Sequence, residues 1–271
     1  LMNVLDITDD GTHYYTLSRA ANLNAQTTKI CKWAMTTPFA MVGSCNTSSV
    51  KYGVSLTNYD GEIFVLQGGS TSTAFRKVII LDASDLTATG ADIGYYQSIS
   101  AYAYAAGIDA DDDTGDMYIY YRDYNGIVRA YERQSGGGYC ITSSCYTHIN
   151  TYARYGTGID VEGGYAYVTG YYGSTSTYYG GMKKISTTTK VVTTMWSTYG
   201  DNYGYRGALA VMSDGDIYVA SNYAYRYYNF QNYDDKIMHY ECSVSCNNQA
   251  DDVLGPNPAS LSALSTKSYD T

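Results

Sequence analysis

The chain has 271 residues, enough for one domain with a full core, and a formal net charge of −9. That balance argues against nucleic acid and anionic membrane surfaces, which both call for a basic patch, and no stretch approaches the roughly 18 consecutive apolar residues of a membrane-spanning helix. Charged residues make up only 16%, against 34 Tyr and 27 Gly, a mixture that favours sheets and polar loops over helices.

Taken in order, the chain repeats one unit five times. The first opens with LDITDDGTHYY from Leu5 and predicts strands over 3–8, 13–18, 30–35 and 39–43. The second, around SLTNYDGEIFV from Ser55, predicts 54–57, 62–67, 77–82 and 93–99. The third, around IDADDDTGDMYIY from Ile108, predicts 107–110, 117–121, 127–132 and 145–150. The fourth, GIDVEGGYAYVTG from Gly158, predicts 159–161, 165–169, 182–186 and 191–196, and the fifth, LAVMSDGDIYV from Leu209, predicts 209–212, 216–220, 237–241 and 250–254. Each unit begins with a strand, an acidic glycine-bearing turn and an alternating strand, the pattern of a β-hairpin.

The turn glycines Gly11, Gly61, Gly115, Gly164 and Gly215 lie 50, 54, 49 and 51 residues apart, and an aromatic follows each by three: Tyr14, Phe64, Tyr118, Tyr167 and Tyr218. A period near fifty with several strands per unit predicts an all-β fold, a β-propeller of five blades. The expected domain spans 1–254, with repeats at about 1–50, 51–103, 104–154, 155–204 and 205–254. Beyond the breaker Gly255-Pro256-Asn257-Pro258, a Ser/Thr/Ala tail over 255–271 is expected to close the ring or dock on a neighbour. The hairpins resemble NHL and SBBP-type propeller repeats, most closely at 158–170 and 209–221. The resemblance implies architecture and is nearly silent on activity.

Six cysteines form three sequence-local pairs, Cys31 with Cys45, Cys140 with Cys145 and Cys242 with Cys246. An even count without a CxxC points to loop-stapling disulfides in an oxidising compartment, so the protein is expected to be extracellular or at the cell surface. A zinc site fits less well, because His13, His148 and His239 lack ligand spacing. Asn46-Thr47-Ser48 is a glycosylation sequon. The chain starts without Met and shows no signal peptide, as expected of a processed chain if it is secreted.

Propeller topology would place the hairpin turns on one face, gathering Asp9, Asp10, Asp60, Asp111, Asp112, Asp113, Glu162 and Asp214. The opposite face would gather tyrosines: Tyr52, Tyr104, Tyr155 and Tyr205 ahead of the inner strands, with Tyr171, Tyr172, Tyr178, Tyr179, Tyr223, Tyr225, Tyr227 and Tyr228 in the loops. Tyrosine with Gly, Ser and Asn is the composition of adaptable recognition surfaces. Asp109, Asp111, Asp113 and Asp116 resemble a calcium loop, although the glycine falls one residue late and the distal Glu is missing. No other cofactor is expected.

From this polarity the sequence reads as a secreted, non-catalytic propeller, a structural or adhesive protomer stacking head to tail into a filament or surface layer. Its expected partners are itself, another extracellular protein or glycans, with no nucleic acid and no membrane insertion. The alternative is a monomeric glycan-binding propeller. A third reading is a five-bladed glycoside hydrolase using the inner-strand Asp6, Asp109 and Asp160. No GxSxG, HExxH or P-loop occurs, so the motifs name no catalytic residue.

Overall fold

The structure, a computed structural model, describes residues 2–20, 28–36, 40–68, 77–94, 104–122, 126–139, 146–153, 156, 158–172, 179–198, 209–213, 215–221, 236–240 and 263–267. Among these residues every regular element is a strand. The first sheet runs β1 (Met2–Asp9), β2 (His13–Ala20), β3 (Thr28–Ala34) and β4 (Met41–Asn46), each hydrogen-bonded to the next. The second runs β5 (Gly53–Tyr59), β6 (Glu62–Gln67), β7 (Lys77–Asp82) and β8 (Ile93–Gly94) in the same way. The third comprises β9 (Tyr104–Ala110), β10 (Met117–Arg122), β11 (Ile127–Tyr131) and β12 (Tyr146–Asn150). The fourth comprises β13 (Ile159–Glu162), β14 (Tyr165–Tyr172), β15 (Tyr179–Ser186) and β16 (Val192–Thr198), and the fifth β17 (Leu209–Val211), β18 (Ile217–Ser221), β19 (Lys236–Tyr240) and β20 (Ala263–Lys267).

In the second and fourth sheets the turns explain why the sheet opens with a hairpin. Asp60 and Gly61 take φ of 51° and 76° between the paired Tyr59 and Glu62, and Gly163 and Gly164 take 57° and 79° between Glu162 and Tyr165. Two successive positive φ values make a type I′ turn, whose twist matches that of the flanking strands. The same turns anchor the far end of the third strand. The Ala83 amide donates to the Gly61 carbonyl, and the Thr187 amide to the Gly164 carbonyl, each at 2.9 Å.

The chain divides into two compact units, residues 1–121 with 129–147 and residues 122–128 with 148–271. In the first, Tyr15, Leu17 and Ile30 of the first sheet pack with Leu56, Ile63, Val65, Ile79 and Leu81 of the second. Ile63, Phe64, Val65, Leu66 and Gln67 are buried in succession, as expected of a strand covered on both faces. In the second unit, Tyr167, Met182 and Met195 of the fourth sheet pack with Leu209, Val211, Ile217 and Val219 of the fifth. Burying such side chains contributes about 1.5–3 kcal/mol each.

The predicted strands recur with shifts of a few residues, except at the end of the chain. The fourth strand of the fifth sheet is Ala263–Lys267, paired to β19 with Met238 opposite Thr266. It lies past the Pro-containing breaker, within the 255–271 tail expected to close the ring or dock on a neighbour. The predicted segment 250–254 lies outside the described residues.

Candidate functional site

In the first unit, the opening strands β1, β5 and β9 are joined through polar side chains on otherwise apolar segments. Asp6 on β1 accepts the Ser55 hydroxyl at 2.6 Å and the Leu56 amide at 2.9 Å, both on Oδ2, while its Oδ1 accepts the Ile7 amide at 3.0 Å. The Ile108 amide of β9 donates to Ser55 Oγ at 3.3 Å. The Thr57 hydroxyl donates to Asp109 Oδ1 at 2.6 Å, and Thr8 donates to Asn58 Oδ1 at 2.7 Å. Alternation along β5 sends Ser55 and Thr57 to one face, where both hydroxyls are buried.

Burial pushes the Asp6 carboxyl up from its ordinary value, and the bonds from Ser55, Leu56 and Ile7 pull part of the way back. A carboxyl so placed holds its proton to higher pH than a surface aspartate and can both take and return one. On either side of it, Val4 and Ile7 expose 64% and 56% of their surface, so an apolar strip borders the acid.

The second unit has a related contact. Asp160 Oδ2 on β13 accepts the Val211 amide of β17 at 2.7 Å, as Asp6 accepts the Leu56 amide. The second and fifth repeats lack an inner-strand aspartate, and it is their strands that receive the carboxylates of Asp6, Asp109 and Asp160. Sequence reasoning singled out these three acids but missed Ser55 and Thr57. The available signal was a pair of hydroxyls six and four residues before Gly61, where the third repeat carries Asp109 and Asp111 before Gly115.

Three of the four acids of the expected calcium loop accept protein hydrogen bonds. Asp109 receives Thr57, Asp111 Oδ1 caps the amides of Asp113 and Thr114, and Asp116 Oδ1 accepts the Arg133 amide. No group of three His, Cys, Asp or Glu able to hold a metal occurs among the described residues.

Of the predicted tyrosine face, Tyr52 precedes β5 at φ 54°, and its carbonyl accepts the Gly68 amide. Tyr104 opens β9, and Tyr171 and Tyr172 end β14, with Tyr172 opposite Tyr179 of β15. Tyr155, Tyr205, Tyr178, Tyr223, Tyr225, Tyr227 and Tyr228 lie outside the described residues. Cys31 and Cys45 form a disulfide between β3 and β4, consistent with an oxidising compartment. The pairs Cys140–Cys145 and Cys242–Cys246 lie outside the described residues. The Asn46 amide nitrogen, the atom a glycan would be joined to, donates inward to the Leu86 carbonyl at 2.8 Å and to Ser49 Oγ at 3.1 Å. Among the described residues no helix is long and apolar enough to cross a membrane.

No protein-family model and no curated protein matches the chain. Among solved structures, it is similar to one described as "putative 6-phosphogluconolactonase" from Bacteroides uniformis, at 11% identity and a TM-score of 0.54, over 98% of this chain and 72% of that one. A xylan β-1,4-xylosidase from Bacillus halodurans matches at 14% identity and a TM-score of 0.46, over 81% of this chain and 48% of that one. The first likeness is one of fold. It corrects two expectations: the non-catalytic structural or adhesive protomer stacking into filaments, and the assignment of the chain as no enzyme. The solved structure whose fold the chain shares carries the name of a lactonase, an enzyme. The physical reason is that neither a fold nor the polarity of its surface fixes activity, which is set by the residues of a particular site.

Proposed function

We propose that the five four-stranded sheets are the blades of a five-bladed β-propeller, and that the protein is a secreted hydrolase of uncharged sugar lactones. The repeat period, the sheet order and the likeness to the lactonase-named structure support the architecture, which is also the one that the resemblance to NHL and SBBP-type repeats implies. The Cys31–Cys45 disulfide supports secretion.

The observation that carries the activity is the convergence of Asp6 and Asp109, from β1 and β9, on the hydroxyls of Ser55 and Thr57 in β5. Asp6 takes a proton from water as the water oxygen bonds to the lactone carbonyl carbon. The ring C–O bond then breaks, and the proton passes from Asp6 to the departing oxygen, so that the acid ends as it began. Strands β1, β5 and β9 carry no Lys or Arg. A phosphorylated sugar calls for such cations, so a neutral one suits the site better. Two carboxylates flanking one strand also favour a second reading, acid–base cleavage of a glycosidic bond.

Both readings are tested by one panel of neutral sugar lactones and aryl glycosides, assayed with the wild type and with Asp6→Asn. Lactone hydrolysis above the uncatalysed rate, lowered about 10²–10⁴-fold by the substitution, supports the proposal. Rates equal to buffer alone, or an unaffected Asp6→Asn protein, would sink it. Cleavage of glycosides alone would select the second reading.

A further inference from the structure

Resting on the assignment of Asp6 as the proton carrier, we propose that Ser55 is a positioning residue: it reserves Asp6 Oδ2 as an acceptor and leaves Oδ1 as the atom that takes and returns the proton. The argument follows from counting donors. Ser55 has one hydroxyl proton, and its oxygen already receives the Ile108 amide at 3.3 Å, so the proton is directed to Asp6 Oδ2 at 2.6 Å. Oδ2 also receives the Leu56 amide at 2.9 Å, a donor that cannot reverse. An oxygen already receiving two hydrogens is a poor place for a third. Oδ1 receives a single hydrogen, from the Ile7 amide, and so keeps acceptor capacity that Oδ2 has already used.

The surroundings of Asp6 make Ser55 the adjustable part. β2 sets Leu17 opposite it, β5 sets Ser55 and Leu56 against it, and none of these titrates. Asp109 on β9 is engaged by Thr57. Burial raises the Asp6 carboxyl without contribution from any charged side chain, and Ser55 supplies the leading opposing influence. A hydrogen bond to an ionised group stabilises that form.

The experiment is a carbon-13 carboxyl titration of Asp6, with its signal identified by loss in Asp6→Asn, in the wild type, Ser55→Ala and Ser55→Thr. Ser55→Ala is expected to move the Asp6 titration upward by about one pH unit. Ser55→Thr, which keeps a hydroxyl, is expected to restore it and serves if the alanine variant does not fold. An unchanged or lowered titration in Ser55→Ala, or a Ser55→Thr titration that moves as far as the alanine variant's, overturns the proposal. The acid limb of kcat/KM for lactone hydrolysis is followed in parallel. A limb that moves with the titration joins Ser55 to the reaction, whereas a titration that moves alone keeps Ser55 as the positioner of the Asp6 proton and removes the lactonase reading.

Discussion

The Tyr15 hydroxyl lies 2.7 Å from Asp10 Oδ2 and 3.2 Å from the Ala83 carbonyl oxygen, one proton shared between the first hairpin turn and the exit of β7 in the second sheet. Lys32 Nζ donates to the same carbonyl at 2.9 Å. Tyr15→Phe keeps the buried ring and removes the sharing, and is expected to destabilise the first unit by about 1–2 kcal/mol. Urea unfolding followed by amide signals of the first unit checks this; no loss would mean that Lys32 alone holds the joint.

The Asp10 carboxyl gives an acid-side prediction. Burial opposes its ionisation, but the Thr12 and Tyr15 hydroxyls and the amides of Thr12 and His13 outweigh it, so the group sits well below the usual carboxylate range. A depressed value contributes stability above the unfolded value, lost as pH falls toward the folded one. Asp6 has the opposite sign: its raised carboxyl disfavours the folded state as pH climbs through it. Wild-type stability should therefore fall as pH drops below about 4, and Asp10→Asn should flatten that decline. Parallel declines in urea midpoints between the two proteins would contradict the assignment.

Gly126 and Gly11 separate steric need from conformational freedom. Both have positive φ, but a Cβ on Gly126 would meet the Ala153 carbonyl oxygen at 2.0 Å, whereas one on Gly11 meets nothing within 4 Å. Gly11→Ala should cost about 1–2 kcal/mol. Gly126→Ala should cost more than about 3 kcal/mol or prevent folding of the second unit. Equal costs, measured by thermal melts, would contradict the geometry.

Asn46 is expected to act as a clasp rather than as a glycan acceptor. Its amide nitrogen ties the end of β4 to the Leu86 carbonyl, and its oxygen accepts the Ser48 and Ser49 amides. Asn46→Asp keeps the acceptor and sets a carboxylate against that carbonyl, at an expected cost of about 1–3 kcal/mol. Intact mass after expression through a secretory pathway should show the sequon empty; a glycan at Asn46 in stably folded protein would contradict the clasp.

The hairpins were legible because they carry their own local requirement: Asp60-Gly61 and Gly163-Gly164 must adopt positive φ, and the strands beside them alternate. The outer strands were less so. β4 is exposed along Met41–Ser44, so no buried face imposes a period on it, and β20 hides behind a proline-bearing connection. At the site, Asp6, Asp109 and Asp160 stood out as acids on apolar strands. Ser55 and Thr57 did not, since hydroxyls are ordinary on strands and their importance comes from pairings some fifty residues apart, 49 for Ser55 with Asp6 and 52 for Thr57 with Asp109.

The most direct test sets Asp6 against Asp160, which accept the Leu56 and the Val211 amide respectively. Initial rates of lactone hydrolysis would be compared for Asp6→Asn, Asp160→Asn and the wild type, each first shown to be folded. The account predicts kcat/KM lowered about 10²–10⁴-fold in Asp6→Asn and nearly unchanged in Asp160→Asn. Equal rates in all three, or an equal fall in both variants, would show that these carboxylates hold strands together and do no chemistry.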